Sequence, residues 1–161
     1  MIADALVTDS VARVEAAARA AGLDITVRRM GALTRTAEEA AAACGCDVGQ
    51  IVKSLIFRDR ASGAPLLFLI GGDAQLDLTK AREVCGVKPS RVDAAWVRDA
   101  TGFAIGGVSP LGHRTVPRTF MDSRLLDQPV VWAATGAQDA VFETHPADLA
   151  MAAGASIASL T

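Results

Sequence analysis

Hydrophobic and polar positions follow two different periods along this chain, and the change from one to the other organises it. Residues 10–21 place Val11, Val14, Ala18 and Ala21 at three-to-four spacing, with Arg13, Glu15 and Arg19 between them, so a helix is predicted there with Gly22 as its stop. Ile25-Thr26-Val27 is short and β-branched and predicts a strand within residues 24–30. Thr36-Ala37-Glu38-Glu39 has the form of a capping box and starts a helix through the alanine run to Cys44, ended by Gly45. From Ile51 the period falls to two. In a strand over residues 51–57, Ile51, Lys53, Leu55 and Phe57 share one face, and Val52, Ser54 and Ile56 share the other.

Residues 58–65 predict a hairpin turn with Ser62-Gly63 at its tip. The continuous apolar run 66–70, bounded by Gly71-Gly72, predicts a buried strand. Residues 76–85 read as a helix stopped by Gly86, and 93–100 as a helix with Asp93 as N-cap. Residues 116–126 and 130–135 read as two strands joined by an Asp127-Gln128-Pro129 turn. Gly136 opens a further turn, then come a strand at 140–143, a helix at 146–153 with Pro146 first, and a strand at 156–160. The expectation is a mixed α/β fold, one domain over residues 1–161, dominated by strands after Ile51.

Composition narrows the function classes. Of 161 residues, 51% are apolar and 21% charged, the balance of a folded chain. No apolar run approaches the ~20 residues of a membrane span, and Asp4 and Asp9 stand where a secretory leader would be basic. Cys44, Cys46 and Cys85 cannot all pair with one another, so reduced thiols and a cytoplasmic location are expected. Cys44-Gly45-Cys46 has no second pair, and neither His113 nor His145 lies at metal-ligand spacing, so no metal or cofactor is expected. All 16 Lys and Arg lie at or before Arg124, where they exceed the acids by 2, and the remainder of the chain carries −4. That allows a local basic face but argues against a long duplex-DNA surface.

One stretch stands apart, Gly102-Phe103-Ala104-Ile105-Gly106-Gly107-Val108-Ser109-Pro110-Leu111-Gly112-His113. It describes a stiff loop poor in side chains, either a multi-turn connection or an anion-binding nest of backbone amides. Ser109 is not placed as an activated nucleophile. The next glycine is Gly112 rather than residue 111, and Pro110 lacks the N–H that a nucleophile elbow uses for its oxyanion. Lys53 is the single charge on its strand face, either an edge lysine that discourages aggregation or a lysine at a pocket mouth. No Walker loop or dinucleotide fingerprint is present.

Two segments together resemble a known family. Gly49-Gln-Ile-Val-Lys53-Ser-Leu-Ile-Phe57 and Gly102-Phe-Ala-Ile-Gly-Gly-Val-Ser-Pro-Leu-Gly112 are similar to the two signatures of the YbaK/ProX domain, which comprises free-standing aminoacyl-tRNA deacylases and the editing domain inserted in bacterial prolyl-tRNA synthetases. Leu76-Asp-Leu-Thr-Lys80 and Val131-Trp-Ala-Ala-Thr-Gly136 resemble further family segments in the family's order. The resemblance implies a barrel-like mixed sheet with surrounding helices. It also implies trans-editing: hydrolysis of the ester of a mischarged tRNA, with tRNA for proline carrying a small wrong amino acid as the expected substrate. Lys53 is then the essential side chain. Gly102, Gly106, Gly107, Val108, Ser109, Pro110, Gly112 and Gly136 are expected around the aminoacyl-adenosine end, with the ribose 2′-OH assisting. The implied partners are the 3′ CCA end of a mischarged tRNA and an aminoacyl-tRNA synthetase, with no DNA and no membrane. His113 and His145 are further candidates, although Thr144-His145-Pro146 lies where many relatives lack histidine. A non-catalytic module that holds a tRNA end, with Lys53 as a phosphate clamp, is the alternative.

Overall fold

A computed structural model describes residues 2–31 and 34–161, with side chains from Ser10 onward. Helix α1 (Ile2–Ala20) begins eight residues before the expected start, since no Gly or Pro interrupts that segment. It buries Val11, Val14 and Ala18. Strand β1 (Val27–Arg29) is followed by α2 (Ala37–Cys44). The Thr36 hydroxyl accepts the Glu39 N–H at 3.1 Å, whereas the Glu39 carboxylate accepts the N–H of Arg35 at 3.0 Å, so the capping box closes one residue early. Gly45, at φ 68°, ends the helix.

Strands β2 (Val52–Asp59) and β3 (Pro65–Gly71) form an antiparallel hairpin in the register Val52↔Gly71 to Arg58↔Pro65. Helix α3 (Leu78–Cys85) is capped by Asp77, and α4 (Ala94–Thr101) by Asp93, whose carboxylate accepts the Trp96 N–H at 2.8 Å. Between them lies β4 (Pro89–Ser90), which pairs with Arg58 and Asp59. The chain closes with β5 (Arg118–Asp122), β6 (Val131–Ala134), β7 (Ala140–Thr144), α5 (Pro146–Ala153) and β8 (Ser156–Ala158).

The strands make a five-stranded mixed sheet, β4-β2-β3-β5-β8, and a three-stranded antiparallel sheet, β1-β7-β6. A single parallel bridge, Ile51↔Trp132, joins them into a curled half-barrel with helices around it. The expected strand over 116–126 is corrected here. β5 stops at Asp122, and Ser123–Asp127 is a 3-10 turn that carries Leu125 into the core. Nor are β5 and β6 a hairpin, because they belong to different sheets. The buried Asp122 carboxylate accepts the Leu160 N–H at 2.9 Å and the Thr161 hydroxyl at 3.1 Å, which ends the strand and pins the last residues.

β3 is the centre of the core, with Leu66 to Ile70 sealed from solvent on both faces. One face packs with Val14, Phe103, Met121, Phe142 and Leu149. The other packs with Phe57, Phe120, Cys85 and Leu160, where Phe68 stacks on Phe120 with centroids 5.4 Å apart. Burial of each large side chain contributes about 1.5–3 kcal/mol, so the hairpin carrying Lys53 is backed by a strand whose Leu66 to Ile70 are fully buried.

Candidate active site

Beyond the bridge at Ile51, β2 and β6 share no further ladder, and a cleft of about 670 Å³ opens between them. The volume is that of a small-molecule site. The cleft runs along the edge of β2, so side chains from both strand faces border it: Lys53 and Leu55 from one, Ser54 and Ile56 from the other. Opposite stand Trp132 and Ala133 of β6 and Ile105, Gly106 and Val108 of the glycine-rich loop.

The Lys53 ammonium donates to the Ala74 carbonyl at 2.5 Å, in the loop after β3. Ile51 and Leu55, its face-mates, pack into apolar clusters with Trp132 and with Ile70 respectively. Lys53 therefore emerges from an apolar surround with a fixed head. Arg35 and Arg91 also border the cleft, and among its described lining residues there is no carboxylate, imidazole or thiol. The electrostatic character is cationic, suited to an anionic ligand. Neither Arg35 nor Arg91 was singled out by sequence, since each sits in irregular chain with no motif around it.

Loop residues 102–113 are held from behind. Gly102 ends α4 at φ 80°, and its carbonyl accepts from Arg13 Nη2 at 2.8 Å, while Arg13 Nε reaches the Gly112 carbonyl at 3.3 Å. The same guanidinium lies 5.0 Å over the ring of the buried Phe103, which meets His113 edge-on at 5.2 Å. His113 Nε2 lies 2.6 Å from the Ser109 carbonyl. A carbonyl only accepts, so Nε2 carries the proton and donates. Nδ1 is then the bare nitrogen, buried with no partner. Burial lowers the imidazole's pKa from its ordinary 6.5; the Ser109 carbonyl opposes this and Arg13 adds to it.

The structure separates the sequence-predicted residues. Lys53, Gly106 and Val108 line the cleft. Gly102, Gly107, Ser109, Pro110, Gly112 and Gly136 lie outside its lining, in or behind the loop. Ser109 is fully buried, and its hydroxyl accepts the Leu111 N–H at 3.3 Å. Within the loop the left-handed region is taken by Gly106 at φ 87° and not by Gly107. Gly107 is small because a Cβ there would stand 3.0 Å from the Gly136 carbonyl. Its N–H donates to Ala104 at 3.0 Å, so it is committed within the turn rather than offered to an ester. His113 lies beneath the loop, and His145 lies elsewhere, its Nδ1 3.0 Å from the Pro129 carbonyl beside a separate hollow with Asp24, Glu143 and Asp148. Cys44, Cys46 and Cys85 are free thiols, and no metal-holding cluster exists among the described residues.

The aminoacyl-tRNA editing domain profile matches residues 32–152, a span that contains Lys53, the glycine loop and every strand bordering the cleft. The chain belongs to this family. As an aminoacyl-tRNA editing domain it is 33% identical over 114 residues to the "Uncharacterized protein YwhH" of Bacillus subtilis, covering 71% of this chain and 72% of that one. A solved structure described as "a putative trans-editing enzyme for prolyl tRNA synthetase" is 44% identical with a TM-score of 0.88, over 94% of this chain and 96% of that one. The "hypothetical protein APE2540" is 33% identical with a TM-score of 0.85, over 92% and 98%. The editing domain thus has the YbaK and prolyl-tRNA-synthetase-associated fold that the two signatures implied.

Proposed function

We propose that this protein is a trans-editing deacylase that hydrolyses the ester of a mischarged aminoacyl-tRNA, with the terminal adenosine in the cleft beside Lys53. The observation that carries the reading is the fixed Lys53 ammonium in a cleft bordered by Lys53, Arg35 and Arg91 and by no described carboxylate, within a chain of the editing family. The ligand must be anionic and must bring part of its own chemistry. A CCA end fits both demands: its phosphates meet the cations, and a single-stranded end needs few contacts.

Ester hydrolysis requires an activated water and a stabilised oxyanion. Since no histidine, cysteine or carboxylate borders the cleft among the described residues, the ribose 2′-OH is the proposed group that orients the water and relays its proton, passing its own proton to the departing 3′-oxygen as it takes the water's. The water oxygen bonds to the ester carbon, the bond to the 3′-oxygen breaks, and the proton passes to that oxygen. Lys53 holds the carbonyl or neighbouring phosphate as a point charge. The prolyl wording in the description of the 44% identical structure supports tRNA for proline as the carrier and a synthetase as the source of the mischarged tRNA; the cytoplasm is the proposed location. The test is a panel of tRNAs charged with alanine, cysteine, serine and proline. The expected result is catalytic release of one small non-cognate amino acid, with prolyl-tRNA spared. Binding of tRNA without release favours the clamp reading instead.

A further inference from the structure

The cleft edge of β2 carries backbone groups that no strand uses. Ile51 offers its carbonyl to Gly72 at 2.7 Å, and the Asp59 N–H bonds Ala64 at 2.8 Å; both continue the β2–β3 register. The Arg60 N–H turns the other way, to Lys88 at 2.9 Å on the β4 side. In an antiparallel pair these directions alternate residue by residue. The odd-numbered residues of β2 therefore face β3, and Ser54 and Ile56 turn their N–H and C=O groups outward. β4 reaches β2 only at Arg58 and Asp59, so among the described residues nothing pairs with Ser54 or Ile56 on that side. Ser54 carries a second anomaly: its hydroxyl is buried and has no hydrogen-bond partner. An orphaned buried polar group is costly, and a bound ligand is one way to satisfy it.

An aminoacyl ester brings one cation, its α-ammonium. The cleft offers it no described carboxylate, and Arg35, Lys53 and Arg91 repel it. Neutral oxygen acceptors must take it. Thr36 is engaged in capping α2, Thr34 donates to the Gln138 carbonyl, and Gln75 and Gln138 are exposed. We infer that Ser54 is the anchor for the substrate's α-ammonium group, through its outward carbonyl and its unpartnered hydroxyl, with the Ile56 carbonyl beside it. A change of χ1 between staggered rotamers would turn the hydroxyl toward the edge. Anchoring the amine there orients the ester on the same strand that carries Lys53.

This inference rests on the deacylase reading, and the experiment separates the two. The amino acid best hydrolysed by the wild-type protein is compared with its α-hydroxy acid counterpart on the same tRNA, a change from amine to hydroxyl at constant size. Each rate is divided by the uncatalysed rate of that ester, because the ammonium itself activates the carbonyl. The wild-type protein is expected to favour the amine by about tenfold or more, the scale of charge-assisted hydrogen bonds. Ser54→Ala should reduce that preference by about threefold, through KM more than kcat, and Ser54→Thr should restore it. An unchanged preference in Ser54→Ala, or no preference in the wild-type protein, overturns the inference and leaves the deacylase reading standing. No turnover of any ester by the wild-type protein overturns both. Melting temperatures exclude a folding defect, and loss of an orphaned hydroxyl should not lower them.

Discussion

The guanidinium of Arg13 donates to the Gly102 carbonyl at 2.8 Å and so fastens helix α1 to the residue that terminates α4. Its Nε spans to Gly112 at the far end of the same loop. One planar fork closes the loop whose other side borders the cleft. Arg13→Ala is expected to destabilise the fold by about 1.5–3 kcal/mol, the worth of hydrogen bonds to a charged group, and to slow deacylation further through a loosened loop. Arg13→Lys should recover little, since an ammonium cannot hold two carbonyls in that geometry. Thermal melts and single-turnover rates check this, and a lysine variant indistinguishable from wild type would refute the role of the fork.

His113 makes the same loop sensitive to pH. Its buried imidazole is held neutral, with its pKa below the ordinary 6.5. The unfolded chain takes up a proton near that value, and the folded chain does so only at lower pH. The associated stability is therefore fully present above about pH 6.5 and is lost progressively as pH falls below it. A new proton would sit on Nδ1, which has no acceptor. Denaturant midpoints from pH 7.5 to 5 should fall in the wild-type protein and fall less in His113→Gln. Parallel slopes in the two proteins would show that other groups set the acid sensitivity.

The glycines divide by physical cause. Gly106 has φ 87° with open space around it, so Gly106→Ala meets only backbone strain, about 1–2 kcal/mol. A Cβ at Gly72 would lie 2.6 Å from the Val48 carbonyl and 2.9 Å from the Ala37 side chain. Gly72→Ala should therefore cost about 3 kcal/mol, the upper end for overpacking, because the nearest atom is rigid backbone. A Gly72→Ala protein that melts above Gly106→Ala would contradict this ranking.

Where local signals were strong the chain was legible. Pro146 opening α5, Asp93 capping α4 and Gly45 ending α2 are contacts made within a few residues, so their chemistry is visible in the sequence. β4 was missed because two residues carry no period; it exists only because Arg58 and Asp59 lie alongside. Residues 116–126 misled because a 3-10 turn also sends Leu125 inward, and alternation cannot tell it from a strand. The site was half legible. Lys53 and the glycine loop stood out, and a family resemblance joined them. The cleft itself depends on the Ile51↔Trp132 bridge, a long-range pairing with no local signal. Ser54 was seen only as a face-mate of Val52, because an open strand edge is a property of what fails to pair.

The cysteines should be dispensable for turnover. Burial raises the thiols of Cys44 and Cys46 above their ordinary value, which leaves little thiolate at neutral pH. The Cys85 thiol is engaged with the Val87 carbonyl at 3.4 Å. A protein with all three changed to alanine should deacylate at close to the wild-type rate, while melting somewhat lower. Loss of turnover in a variant with unchanged melting would place a thiol in the chemistry.

The proposed chemistry depends on the charge of Lys53. Its ammonium is fixed on Ala74 at 2.5 Å at the edge of a cleft that supplies no other described acid or base apart from Arg35 and Arg91. The decisive measurement is single-turnover hydrolysis of the preferred mischarged tRNA by wild type, Lys53→Ala and Lys53→Met, with melting followed in parallel. Both variants should fold and lose at least about a hundredfold in rate, the scale for removing a preorganised electrostatic group. Methionine keeps most of the apolar stem and should fail as alanine does, because the charge and not the packing is required. A well-folded Lys53→Met protein that hydrolyses the ester within a few-fold of wild type would contradict the central claim.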